Sequence, residues 1–170
     1  MQLSSSGEAR LASRCGFYET GAMTATSLHP AALLDGLVIR VDHVGICVSD
    51  IDEAGQPWTQ LLGCEVVDRE EIASQQVAVG WLRLPGEQTK IELISSLGNA
   101  GLDKFLAKRG NAMHHVAISV TDIREAVRRM KTAGLRLIDQ EPRPGAGGHL
   151  VAFLHPSAMA GTLVELVQAG

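Results

Sequence analysis

The sequence is poor in aromatic residues, which fill 4% of its 170 positions, and it has no excess of positive charge. Fifteen Lys and Arg face 19 Asp and Glu, a formal net charge of -4 at pH 7. A nucleic-acid interface needs a basic footprint and, for single strands, stacking rings, so both shortages argue against one. Cysteine is scarce too. Cys15, Cys47 and Cys64 are odd in number and have no CxxC spacing. That disfavours a disulfide framework and fits reduced thiols packed as small hydrophobes. No apolar run reaches the roughly 18 residues that cross a bilayer. Asp35, Asp50 and Arg83 cut the longest candidates. The chain is therefore read as cytoplasmic, or of the mitochondrial matrix if its source is eukaryotic, with neither nucleic acid nor membrane as partner.

What is present is enough apolar residue, 45%, to bury the core of one medium domain or two very small ones. Residues 1–38 have little periodicity: a serine cluster at Ser4, Ser5 and Ser6 leads into a mixed polar stretch up to Pro30. They read as an N-terminal extension, either a disordered tail or an early start with Met23 as the alternative. Arg10 and Arg14 among serines resemble a transit peptide, but Glu8 and Glu19 weaken that reading. Ala31 to Val38 is expected as a short helix or docking segment.

From residue 39 the chain repeats itself. Val41 to Ala54 aligns without a gap on Met113 to Ala126 at an offset of 72, with eight identities in fourteen positions, His43/His115, Asp50/Asp122 and Glu53/Glu125 among them. Each copy opens with alternating apolar residues, Val44, Ile46 and Val48 against Val116, Ile118 and Val120, the period of a strand with one buried face. Asp50 or Asp122 then stands at an N-cap position with a Glu three residues on, so a helix follows, ending near Gly63 or Gly134. Strands are expected at 65–70, 77–84 and 89–94 in the first copy and at 135–139, 149–154 and 162–167 in the second. The fold class is α+β: two tandem βαβββ modules, 40–97 and 112–168, within one domain at 39–170, joined by a helical linker at 98–111.

The last strands correspond as well, Lys90 to Ile94 against Leu163 to Val167, which aligns Glu92 with Glu165 at an offset of 73. The duplication therefore keeps a His on the first strand and a Glu on the last strand of each module. A pseudo-twofold would bring His43, Glu92, His115 and Glu165 toward one point. Two imidazoles and two carboxylates suit a divalent metal with two positions left open for a chelating substrate, unlike the thiolate-rich set of a closed structural zinc site. Each of the four alone reads more simply as a satisfied core His or an outward-facing Glu; their joint retention through the duplication favours the site.

Four runs are more specific. Lys108 to Val116, Leu137 to Gly148, Phe153 to Pro156 and Gly161 to Leu166 together resemble the methylmalonyl-CoA epimerase family of the vicinal oxygen chelate fold, over about residues 40–168. The resemblance implies a curved mixed sheet around a metal site with His43, Glu92, His115 and Glu165 as ligands. It also implies Glu165 as acid/base at carbon 2 of an acyl-CoA, and a homodimer. The metal is expected to be Co(II) or Mn(II), with Ni(II) or Mg(II) as alternatives. Glu92 stands where some family members have Gln, a change that adds negative charge and weakens the ion's Lewis acidity. Val79 stands where some carry a second Glu, and it cannot transfer a proton, so the second acid/base is left open.

Other singled-out residues have structural readings. His114 is expected on the opposite strand face from His115, supporting the site from behind; His29 reads as solvated; His149 and His155 read as turn residues. Gly145 to Gly148 reads as a hairpin loop, since it lacks the Lys-Ser/Thr of a phosphate loop. Arg143 and Lys108 are candidates for the CoA phosphates. The rival functions are a lactoylglutathione lyase-like enzyme or a dioxygenase on the same fold, and a non-catalytic protein that binds a small ligand.

Overall fold

A computed structural model of the chain describes residues 32–170. The tail reading of residues 1–31, the alternative start at Met23 and the reading of His29 lie outside the described residues. The elements run β1 (Val38–Cys47), α1 (Ile51–Leu62), β2 (Glu65–Ile72), β3 (Val77–Arg83), β4 (Lys90–Ser96), α2 (Ala100–Arg109), β5 (Ala112–Val120), α3 (Ile123–Thr132), β6 (Arg143–Pro144), β7 (Leu150–Leu154) and β8 (Val164–Gln168). All eight strands join one sheet in the order β2-β3-β4-β1-β5-β8-β7-β6. The expected class holds: two βαβββ modules meet at the antiparallel β1–β5 pair, with parallel pairs β1–β4 and β5–β8 on either side in a curled mixed sheet.

The helices begin and end where their polar residues dictate. Asp50 accepts a hydrogen bond from Glu53 N at 2.8 Å, and Asp122 accepts one from Glu125 N at 2.9 Å, each satisfying a free helix N–H. Gly63 closes α1 in the left-handed region at φ 66°, which a side chain would disfavour. At α3 the Glu125 side chain turns away from the cap. Arg128 and Arg129 donate to it at 2.6–2.8 Å, and these bonds hold its pKa down at about 2. The linker forms α2, whose buried Leu102 packs with Cys47, Val77 and Trp81.

Strand alternation divides the sheet into two faces. Val48, Ala78, Leu82, Ile91 and Leu93 pack under α1 with Ile51, while Val120, Ala152, Leu154, Val164 and Leu166 pack under α3 with Ile123, Ala126, Val127 and Met130. Leu34 and Leu37 join this second core, and Thr121 N donates to Leu37 O at 2.9 Å, so the turn at 33–37 docks beside α3 without forming a helix. Val77, Val79, Trp81, Glu92 and Ile94 on one side, and Val151, Phe153, Glu165 and Val167 on the other, face a cavity across the opposite surface.

The strand expected at 135–139 is reduced to one bridge, Leu137 with Leu154, and the two-residue β6 takes the sheet edge. Ile138 N and Asp139 N both donate to Phe153 O, at 2.8 and 3.3 Å, while Phe153 N donates to Asp139 Oδ2 at 2.9 Å. A side chain has taken a place in the ladder, and Pro142, which has no N–H, follows shortly after.

Candidate metal centre

The β1–β5 register sets His43 opposite Ala117 and His115 opposite Gly45. The flanking parallel strands set Glu92 beside Gly45 and Glu165 beside Ala117. Four polar side chains thus gather around the seam between the modules. His43 Nε2 lies 3.1 Å from His115 Nε2, 3.5 Å from Glu92 Oε2 and 3.3 Å from Glu165 Oε2. His115 Nε2 lies 3.4 Å from Glu92 Oε2 and 2.9 Å from Glu165 Oε2. All four residues are buried, with relative exposures of 2–6%. His43, His115 and Glu165 offer donor atoms within 4.8 Å of one another, and Glu92 reaches both imidazoles.

The geometry also assigns a role to one glycine. A methyl at Gly45 would overlap the His115 ring, standing 2.8 Å from Nε2 and closer to Cε1 and Nδ1. The ring can approach the β1 backbone this closely only because that position has no side chain.

A family model described as the Glyoxalase/Bleomycin resistance protein/Dioxygenase superfamily matches residues 42–153. An ethylmalonyl-CoA/methylmalonyl-CoA epimerase of Cereibacter sphaeroides is 38% identical over 135 residues, 78% of this chain and 99% of the relative. The chain belongs to this superfamily and to its methylmalonyl-CoA epimerase family. Two solved members of the epimerase family superpose on it. The methylmalonyl-CoA epimerase from Mycobacterium tuberculosis does so with a TM-score of 0.75 at 34% identity, covering 87% of this chain and 93% of that one. A methylmalonyl-CoA epimerase in complex with methylmalonyl-CoA and NH4+ does so with a TM-score of 0.73 at 30% identity, covering 78% and 96%.

The carboxylates of the site favour a protonated imidazole. Burial pushes the His43 pKa down, but hydrogen bonds that the imidazolium donates to Asp42, Glu165 and Glu92 outweigh it and hold His43 at about 11. Burial pushes Glu165 up, and bonds from His115 and His43 outweigh that, leaving it at about 2. Two buried carboxylates around a protonated imidazole form a place already shaped for positive charge. Two imidazole nitrogens and a carboxylate oxygen, from His43, His115 and Glu165, fit a divalent ion in place of that proton.

The centre opens into a cavity of about 330 Å³. Val79 lines it as an apolar wall, 2% exposed. Asn99, Arg143, His149 and Phe153 line it too. His149 is more than a turn residue: its Nδ1 is buried with no hydrogen-bond partner among the described residues. The signal was in the sequence, since His149 shares alternation with the cavity-facing Val151 and Phe153. Arg143 lies over the Phe153 ring at 5.5 Å and donates from Nε to Asp139 at 3.2 Å. Lys108 sits exposed in the last turn of α2 and outside the cavity lining. His155 does serve a turn, its Nδ1 accepting from Ser157 N at 3.1 Å. The loop at 145–148 is tethered to module one by Gln75 Nε2 to Pro144 O at 3.0 Å and Gly147 N to Glu70 Oε1 at 2.9 Å.

His114 does not turn its back on the centre. It lines the cavity, and its Nδ1 lies 3.1 Å from His115 Nδ1. The register shows why: Gly45 pairs with His115 but Ile46 pairs with Met113, so His114 is the extra residue of a β-bulge, and strict alternation fails there.

Proposed function

We propose that the chain interconverts the (2R) and (2S) forms of methylmalonyl-CoA by exchanging the proton at carbon 2. The observation that carries this is the convergence of His43, Glu92, His115 and Glu165 on one buried point in the wall of a 330 Å³ cavity, in a chain of this family. These four residues would hold a divalent metal, Co(II) or Mn(II) before Ni(II) or Mg(II). When bound, the ion supplies Lewis-acid stabilisation of the negative charge that develops on the thioester oxygen as carbon 2 loses its proton.

The remaining work falls to the chain. Glu165 is ionised and takes the proton from carbon 2; return of a proton to the opposite face inverts the centre. The apolar wall of Val79, Val77 and Ile94 keeps bulk water from the reacting carbon. His149, whose Nδ1 has no partner among the described residues, offers a hydrogen bond to a polar group of the acyl chain in the same cavity. A homodimer in a reducing compartment is the assembly this reading carries with it. Two carboxylates in the donor set favour the epimerase over an iron dioxygenase, whose set is two His and one carboxylate.

Incubation of the metal-loaded protein with (2R)-methylmalonyl-CoA in deuterium oxide, followed by NMR at carbon 2, tests the proposal. Deuterium incorporation with inversion is expected. Its absence under every divalent metal tried would sink the epimerase reading and leave a binding protein. Glu165→Gln is expected to abolish exchange; an unchanged rate would remove Glu165 from the proton-transfer role.

A further inference from the structure

The internal repeat extends beyond the four proposed ligands to the residues behind them. Asp42 and His114, each preceding a ligand, are themselves 72 apart, yet one is a carboxylate and the other an imidazole. Both sit in β-bulges on the β1–β5 seam. Val41 pairs with Ile118 and His43 with Ala117, so Asp42 is the extra residue on β1, as His114 is on β5. A bulge re-aims a side chain that strict alternation would send to the other face. Here both turn toward the following residue: Asp42 Oδ1 lies 3.1 Å from His43 Nδ1, and His114 Nδ1 lies 3.1 Å from His115 Nδ1.

The packing around each imidazole repeats as well. Trp81 meets His43 edge-on at 5.0 Å and Phe153 meets His115 edge-on at 5.5 Å. These aromatics are again 72 apart, and they pair in register with Glu92 and Glu165. Asp42 is tied in turn by Arg40 at 3.3 Å and Lys90 at 4.0 Å, and Phe105 stacks edge-on against His114 at 5.0 Å. Neither partner is free to swing away.

We propose that Asp42 and His114 are paired positioning residues, built by matching bulges, that fix the Nδ1 side of His43 and His115 so that both Nε2 atoms are presented to a divalent cation. This rests on the metal-site reading above. An imidazole with one nitrogen anchored has its ring plane and tautomer fixed before the ion arrives, and loss of such an anchor typically weakens metal binding about 10–100-fold. The two anchors differ in charge, so the two ligands are held alike in geometry and unalike in donor strength.

Metal affinity, measured by competition with a chromophoric chelator, and the visible absorption of the Co(II) form test this without recourse to activity. Asp42→Ala and His114→Ala are each expected to weaken Co(II) binding about 10–100-fold and to alter the Co(II) band shape. Asp42→Asn, which keeps the shape and a weaker acceptor, is expected to fall between Asp42→Ala and wild type. His114→Asp copies the first module's anchor into the second and is expected to bind Co(II) within a few-fold of wild type. A residue needed only for folding would show neither the spectral change nor this rescue. Wild-type affinity and spectrum in either alanine variant overturns the pairing while leaving the metal site standing. Absence of Co(II) binding by the wild-type chain overturns both readings together.

Discussion

Gly45→Ala is the smallest substitution that tests the geometry of the centre. Gly45 lies two residues beyond His43 on β1 and pairs with both His115 and Glu92, so its missing side chain points into the cluster. The added methyl would stand 2.8 Å from His115 Nε2 and nearer to two other ring atoms. Carbon contacts relax at about 3.5–4.0 Å, so the ring must withdraw by about 1 Å or more. A metal ligand tolerates roughly 0.2 Å of misplacement, far less than that. Retreat is blocked, because Phe153 packs edge-on at 5.5 Å and His114 holds Nδ1 at 3.1 Å. His115 should therefore leave the donor set, with Co(II) affinity falling at least about 100-fold, as expected when a donor is lost outright and not merely reoriented. Carbon 2 exchange should fall with it. The overlap should also lower the stability of the metal-free protein by about 1–3 kcal/mol, the usual cost of overpacking a buried site, so metal binding is read below the unfolding transition. Titration calorimetry with Co(II) and the deuterium assay read the outcome. Wild-type metal affinity in a folded Gly45→Ala protein would refute the claim that the close approach at Gly45 builds the site.

Three further outcomes follow from the same structure. Below about pH 11 the metal-free His43 carries a proton that a metal must displace. Loading at pH 7 should thus release about one proton from it, and metal affinity should rise with pH; calorimetry in two buffers of different ionisation enthalpy measures the release, and none released would contradict the carboxylate-held imidazolium. Asp122→Ala removes the bond to Glu125 N at 2.9 Å and should cost about 1 kcal/mol in urea unfolding, with Asp50→Ala alike, the two adding because the caps lie in different modules. Ile123→Ala, at a position with 0% exposure under α3, should cost about 2–5 kcal/mol by the same assay, and a loss below 1 kcal/mol would deny that α3 anchors its module.

Most of the framework was legible because it rests on short-range rules. Alternation marks β1 and β5, the Asp caps mark α1 and α3, and the offset of 72 marks the imidazoles. What the sequence hid depends on pairing between distant segments. Alternation places His114 on the wrong face because a bulge exists only relative to a partner strand. The strand expected at 135–139 dissolved because Asp139 meets Phe153 across a turn that no local pattern specifies. The same holds for Gly45, which reads as a weak point in a strand until His115 is found lying on it.

Neither module contains a site of its own. Each supplies one imidazole and one carboxylate, and the four donors meet only where β1 lies against β5. In the metal-free cluster the carboxylates of Asp42, Glu92 and Glu165 raise the His43 pKa, to about 11. The two halves are thus joined by a hydrophobic seam that tolerates a buried, charge-rich interior, and that interior is satisfied only when the seam is closed. A cation bound there would stabilise the docked state of the modules by mass action. Around the four donors the copies differ at Asp42 against His114, Trp81 against Phe153 and Gly45 against Ala117, while the donors themselves are retained.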